Sequence, residues 1–151
     1  MIRINIFRYV VSFNIIRLVK SMSNEIWNNL YNKALSVCNG HDISDSIFAG
    51  SVASAILTDK GTIYYLGVSV DTNCSLGFCA ERNAIGTMLT FENPKVIKVV
   101  TVRQYGEIVM PCGACRELLM QLNGNHKTQI LENRSPLRIV ILTGLMPNYW
   151  K

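Results

Sequence analysis

Three cysteines at two predicted helix starts constrain this chain more than any other feature. Cys79 opens one helical segment two residues ahead of Glu81, and Pro111-Cys112-Gly113-Ala114-Cys115 opens another. A Cys-x-x-Cys pair of this kind suits a metal or redox site better than a disulfide framework, and five cysteines leave one over in any pairing. Unpaired backbone N–H groups and the helix dipole lower thiol pKa values at such positions and favour thiolate. A fold that serves all three sulfurs must therefore bring two helix N-termini together.

The rest of the pattern supplies elements for such a fold. Ser23 or Asn24 can cap a helix over residues 24–38, with Ile26, Trp27, Leu30, Ala34 and Leu35 at helical spacing and Asn39-Gly40 as its stop. Residues 51–58 and 62–69 read as two strands joined by Asp59-Lys60-Gly61. A helix over 79–90 leads to a buried strand over 96–103 and a short strand over 107–110. A second metal-bearing helix spans 112–122, and strands at 128–131 and 137–142 complete the chain. This alternation predicts an α/β protein, a three-layer α/β/α sandwich on one mixed sheet of about five strands.

Three cysteine ligands leave the fourth tetrahedral position of a zinc ion to water. Glu81 falls in the same first helical turn as Cys79, close to the metal without being a ligand, where a proton shuttle belongs. Three thiolates on a divalent ion carry a formal charge of −1, and Arg82 is placed to offset it. The competing interpretation is a structural zinc site or a redox pair closed by Cys74 as a fourth ligand. Cys38 and Cys74 otherwise read as small buried hydrophobes, and His41 and His126 as loop histidines.

Charge limits the partners. The net charge is +5, but Arg3, Arg8, Arg17 and Lys20 precede the first acid, Glu25; the remaining 11 basic and 10 acidic residues nearly cancel. Such a body lacks the basic face that would neutralise many phosphates, so a small molecule is expected rather than nucleic acid. Residues 1–21 hold no apolar run of the roughly 20 residues a membrane helix needs, so no membrane partner is expected. We expect these residues to be an extension outside the fold, resembling a transit peptide only weakly, and residues 22–151 to form a single domain. Free cysteines make a reducing cytoplasm the natural setting.

With both motifs in view, residues 48–150 resemble the small zinc-dependent cytidine deaminases and their relative blasticidin-S deaminase. Leu76-Gly77-Phe78-Cys79-Ala80-Glu81-Arg82-Asn83-Ala84-Ile85 is similar to the family's first metal helix, and Pro111-Cys112-Gly113-Ala114-Cys115-Arg116 to its second. Ser51-Val52-Ala53-Ser54-Ala55 resembles the first core strand, especially of the blasticidin-S branch. The resemblance implies a zinc ion on Cys79, Cys112 and Cys115, a catalytic Glu81 that moves protons from water to ring N3 and to departing ammonia, and an Arg82 that hydrogen-bonds the thiolates. It implies substrate contacts at Ala80 as well.

Departures from the family concern the substrate. The family's ribose-reading Asn-x-Glu stands here as Ser69-Val70-Asp71, and both side chains are shorter. The alternative for this pair is that it merely ends a strand and starts a turn. The family's aromatic residue before the first core strand is out of register, with Gly50 in its place and Phe48 two residues earlier. Leu145-Met146-Pro147-Asn148-Tyr149-Trp150 resembles the family's closing segment, whose aromatic reaches a neighbouring subunit's site. Tyr149 or Trp150 is then a substrate contact across an interface of a homo-oligomer, a tetramer by resemblance, or else packs against the first helix. The expected substrate is cytidine or 2′-deoxycytidine, the alternative a cytosine aminonucleoside such as blasticidin S, and the second alternative a non-catalytic zinc-stabilised interaction protein.

Overall fold

The apolar positions of the chain alternate with period two in its strands and recur every third or fourth residue in its helices, which sorts them onto two faces of one sheet. The computed structural model describes residues 6–122 and 124–150, with backbone alone for residues 6–20 and 125. Its elements are α1 (Ile6–Val37), β1 (His41–Ser44), β2 (Ile47–Thr58), β3 (Ile63–Thr72), α2 (Ala80–Phe91), β4 (Val96–Arg103), α3 (Gly113–Gln121), β5 (Gln129–Arg134) and β6 (Leu137–Ile141).

Strand β2 organises the sheet. It pairs antiparallel with β3 along one edge, and along the other with β1 at its start and β4 over its remainder. Strand β5 then runs parallel to β4 and antiparallel to β6. The sheet is mixed as expected, but six-stranded rather than about five-stranded, because His41–Ser44 folds back on the start of β2. The short strand expected at 107–110 is instead a single bridge between Val102 and Ile108.

Alternation along the strands divides the core. Ile56, Val99 and Ile130 point to one face, where Ala84, Ile85 and Met88 of α2 and Leu119 and Met120 of α3 cover them. Ala55, Leu57, Val100, Val102 and Leu131 point to the other, under Trp27, Leu30, Tyr31 and Ala34 of α1. These are the three expected layers. Burying side chains of this size stabilises the fold by about 1.5–3 kcal/mol each.

Helix α1 begins before the position expected from its capping signal, since Ser23 and Asn24 lie inside it. Ser and Asn favour caps, but they do not stop a helix whose preceding residues, such as Leu18 and Lys20, are themselves helix formers. Among the described side chains of α1, burial against the sheet starts at Trp27, while Met22 is 59% and Ile26 39% exposed. No described helix is long and apolar enough to cross a membrane.

Strand direction decides where the two later helices start. Strands β3 and β4 are both antiparallel to β2, so they run parallel to each other, and β5 is parallel to β4. Helix α2 connects β3 to β4 and α3 connects β4 to β5, so both helices run back across the same face. Their N-termini meet at the C-terminal ends of the parallel strands, where open α/β sheets bind ligands.

Candidate metal centre

Cys79 is the N-cap of α2 and Cys112 the N-cap of α3, each in extended backbone conformation. Cys115 lies one helical turn beyond Cys112 and is fully buried. The Sγ atoms of Cys79 and Cys112 are 3.3 Å apart, those of Cys112 and Cys115 3.4 Å apart, and all three fall within 4.8 Å of one another. A tetrahedral zinc ion with Zn–S bonds of about 2.3 Å separates its sulfurs by about 3.8 Å, so the cluster has the size and donor chemistry of a three-thiolate zinc site. Cys74 is not in the cluster. It is exposed, at φ 63°, and lines the adjacent cleft, which corrects the expectation of a small buried hydrophobe and gives no support to a fourth sulfur closing the site.

Glu81 occupies the first turn of α2 and is 3% exposed. One carboxylate oxygen, Oε2, lies 3.4 Å from Cys115 Sγ, and the other, Oε1, accepts a hydrogen bond of 3.0 Å from the Thr101 hydroxyl on β4. The thiols respond unequally to these surroundings. Burial, then the Glu81 charge and the two other cysteines, push the Cys115 thiol well above its ordinary value. Burial and the hydrogen bond with Cys112 raise Cys79. Burial also acts against ionisation of Cys112, but the Cys115 backbone N–H and the neighbouring thiols outweigh it, and Cys112 is lowered.

A cleft of about 480 Å³ opens in front of the sulfurs, with Cys79, Glu81 and Cys112 on its wall. Its volume lies within the usual range for small-molecule sites. Ser69, Asp71, Ala80 and Arg82 line the same cleft, so the structure gathers these expected residues around the metal ligands. Ser69 and Asp71 lie within the last four residues of β3, which ends at Thr72 before a turn, so they close a strand and line the cleft at once. Two residues apart, they share a face. The Ser69 hydroxyl accepts from the Val52 N–H at 3.3 Å, and the Ser51 hydroxyl lies 3.4 Å from both Ser69 Oγ and Asp71 Oδ2. Arg82 is exposed, and none of the hydrogen bonds at the sulfurs among the described residues comes from it.

Tyr149 and Trp150 are not part of this cleft within one chain. Tyr149 Oη donates to Glu117 Oε1 at 2.9 Å and Trp150 Nε1 to the same atom at 3.3 Å, so the closing aromatics lie on α3 and not on the first helix. Thr101, Arg103 and Met110 also line the cleft and stand outside both motifs, while Phe78 directly precedes Cys79 in the first. For Thr101 a signal exists: it interrupts the apolar run of Val99, Val100 and Val102 in a strand buried on both faces.

A mixed sheet flanked by helices, with three converging sulfurs and a buried carboxylate beside an open cleft, is the arrangement of a zinc-dependent enzyme in which the three cysteines would hold the ion. Residues 28–131 match the family model described as the cytidine and deoxycytidylate deaminase zinc-binding region. Cytidine deaminase of Mycobacterium tuberculosis is 31% identical over 101 residues, covering 66% of this chain and 73% of that protein. A crystal structure of a variant of the M. tuberculosis cytidine deaminase superposes with a TM-score of 0.70 at 28% identity, over 83% of this chain and 98% of that one. Cytidine deaminase from Mycobacterium leprae shares the fold at a TM-score of 0.67 and 24% identity, covering 81% and 98% of the two chains. This chain belongs to the cytidine and deoxycytidylate deaminase family of zinc-dependent hydrolytic deaminases, and its Cys79, Cys112 and Cys115 cluster is compatible with zinc binding.

Proposed function

We propose that the chain deaminates a cytosine nucleoside, cytidine or 2′-deoxycytidine, giving the uridine counterpart and ammonia. The observation that carries this reading is the contact of the Glu81 carboxylate with the sulfur cluster at the inner wall of a nucleoside-sized cleft. Zinc, when bound, lowers the pKa of a water toward 7 and supplies a hydroxide nucleophile at neutral pH. Glu81 is the proton carrier. Its Oε2 faces the sulfurs, so it takes the water's proton and delivers it to ring N3 as the water oxygen bonds to the amine-bearing carbon. It then takes the proton of that new hydroxyl and passes it to the amine nitrogen, which leaves as ammonia as the C–N bond breaks and the carbonyl forms. Arg82, on the rim, offsets the surplus negative charge of three thiolates.

Substrate recognition is assigned to β3. Asp71 offers an exposed carboxylate to sugar hydroxyls, while Ser69 is buried and already bonded to the Val52 N–H. The ribose contact then rests on Asp71, with the Ala80 backbone beside the base. Blasticidin S remains the second substrate, favoured by the same shortened pair, which leaves room for a sugar without the ordinary hydroxyl pattern. Ammonia release from cytidine, 2′-deoxycytidine and blasticidin S by the zinc-loaded protein separates the two. Turnover of the cytidines supports the leading reading, and turnover of blasticidin S alone rejects it.

The same reading makes residues 22–151 the folded domain, supported by Trp27 being the first buried residue among the described side chains of α1. It places the protein in the cytoplasm, where its five free cysteines stay reduced. It makes the active form a homotetramer, with Tyr149 or Trp150 reaching a neighbour's cleft, and needs no nucleic-acid or membrane partner. Exposed apolar residues such as Leu66, Leu76, Phe91 and Trp150 supply surface for that assembly.

A further inference from the structure

Ser54 and Thr101 face each other across the antiparallel pair β2 and β4. Strand alternation puts both on the face covered by α2 and α3. Ile56, two residues after Ser54, and Val99, two before Thr101, belong to the apolar cluster on that side. Two hydroxyls thus stand where the pattern calls for aliphatic side chains. Ser54 is 0% and Thr101 2% exposed. Burying a hydroxyl is unfavourable unless it finds partners, so the partners identify what these residues do.

Those partners form a chain that ends on Glu81. Three contacts share two hydroxyl protons: the Thr101 hydroxyl donates to Glu81 Oε1 at 3.0 Å, which leaves the Ser54 hydroxyl to donate to Thr101 Oγ1 or to the Val100 carbonyl, each 3.1 Å from Ser54 Oγ. Among the described residues, Thr101 is the one oxygen or nitrogen donor to this carboxylate. A glutamate carboxyl rotates broadly about its last torsion, and in ionised form it is the stronger of the two acceptors that Thr101 meets. Gripping Oε1 from the sheet leaves Oε2 directed at Cys115 Sγ.

We propose that Thr101, backed by Ser54, is a positioning residue that fixes which Glu81 oxygen faces the metal centre. The inference rests on the reading of Glu81 as the proton carrier. Thr101 lines the cleft, but its hydroxyl is engaged by Glu81 and Ser54, so a positioning role lowers kcat and leaves KM unchanged, whereas direct substrate contact would raise KM.

The test uses the full zinc-loaded chain with whichever of cytidine, 2′-deoxycytidine and blasticidin S it turns over. Thr101→Val keeps the shape and removes the donor. It is expected to lower kcat by roughly 10- to 100-fold, the scale of a misplaced reacting group, with KM and zinc per chain unchanged. Thr101→Ser keeps the donor and is expected to restore most of kcat. Full kcat in Thr101→Val, equal loss in Thr101→Ser, or zinc lost in step with activity overturns the inference. If Thr101→Val does not fold, Ser54→Ala takes its place, with a smaller kcat loss and zinc retained; unchanged kcat in that variant overturns the inference. Glu81→Gln distinguishes the failures. If that variant is inert while Thr101→Val runs at full speed, only the positioning role falls; if it stays active, the reading of Glu81 falls.

Discussion

A carboxylate and three thiols packed together at the edge of an apolar core would repel one another if all were ionised. In the metal-free chain the conflict is relieved by keeping protons on sulfur, as burial and the Glu81 charge do for Cys115 and as burial and Cys112 do for Cys79. A folded state that raises a thiol pKa favours the protonated form, so its contribution to stability is intact below the ordinary thiol value of 9.0 and is lost as pH rises beyond it. Zinc reverses the preference by binding thiolate. The gap in Tm between zinc-loaded and chelator-stripped protein is therefore expected to widen from pH 7 to pH 10, as scanning calorimetry would record; a constant gap contradicts the assignment of these thiols as ligands. The residues in this conflict are legible in the sequence because Cys79-Ala80-Glu81 and Pro111-Cys112-Gly113-Ala114-Cys115 carry their chemistry in their spacing. Thr101 shows only as a polar break in an apolar run, and its role with Ser54 is not legible, because it depends on a cross-strand register that joins positions 47 residues apart.

At the scale of elements, the metal centre depends on how closely α2 approaches β3. Gly67 permits that approach: a Cβ there would stand 2.5 Å from the Ala80 carbonyl oxygen and 2.6 Å from the Ala84 backbone nitrogen. Both are backbone atoms of the helix that carries Glu81 and follows Cys79, so the helix rather than a side chain must yield. Gly67→Ala is expected to cost about 1–3 kcal/mol by overpacking, read by urea denaturation, and to weaken zinc retention against a chelator. Unchanged stability and zinc retention would show that the helix start has slack. Helices and buried strands are readable from period and length. Strand β1 is not: its four residues are all exposed and it has no apolar alternation. Strand β3 is longer than its sequence suggests, because polar Ser69 and Asp71 resemble a turn when their pairing with β2 is unknown. Helix α1 is longer for a related reason, since a capping residue is recognised by its backbone conformation rather than its type.

Across the whole molecule, the two helical layers have separate tasks. Helices α2 and α3 present the metal ligands, and α1 closes the opposite face through Trp27, Leu30, Tyr31 and Ala34. Trp27→Ala should cost about 3–5 kcal/mol of folding free energy in denaturant titration, because Trp27 is 1% exposed, while zinc stoichiometry at low denaturant stays the same. A chain beginning at Met22 keeps every buried residue of α1 among those described, so its Tm and turnover are expected to match those of the full chain; a large loss of either would place residues 1–21 within the functional fold. Light scattering at four chain masses supports the tetramer, and a fully active monomer removes the proposed role of Tyr149 and Trp150. Layer order and the metal ligands are visible in the pattern of the chain; the seating of those two aromatics on Glu117 depends on tertiary packing that no local pattern encodes.

The central claim is that a carboxylate held against a three-sulfur zinc site moves the protons of deamination. Its most direct measurement is zinc content and turnover determined together on Glu81→Gln. The account predicts one zinc per chain, an unchanged circular dichroism spectrum, and turnover reduced by at least about 100-fold, the lower range for loss of a general acid–base group. Turnover at the level of the unmodified chain, with zinc in place, would contradict it.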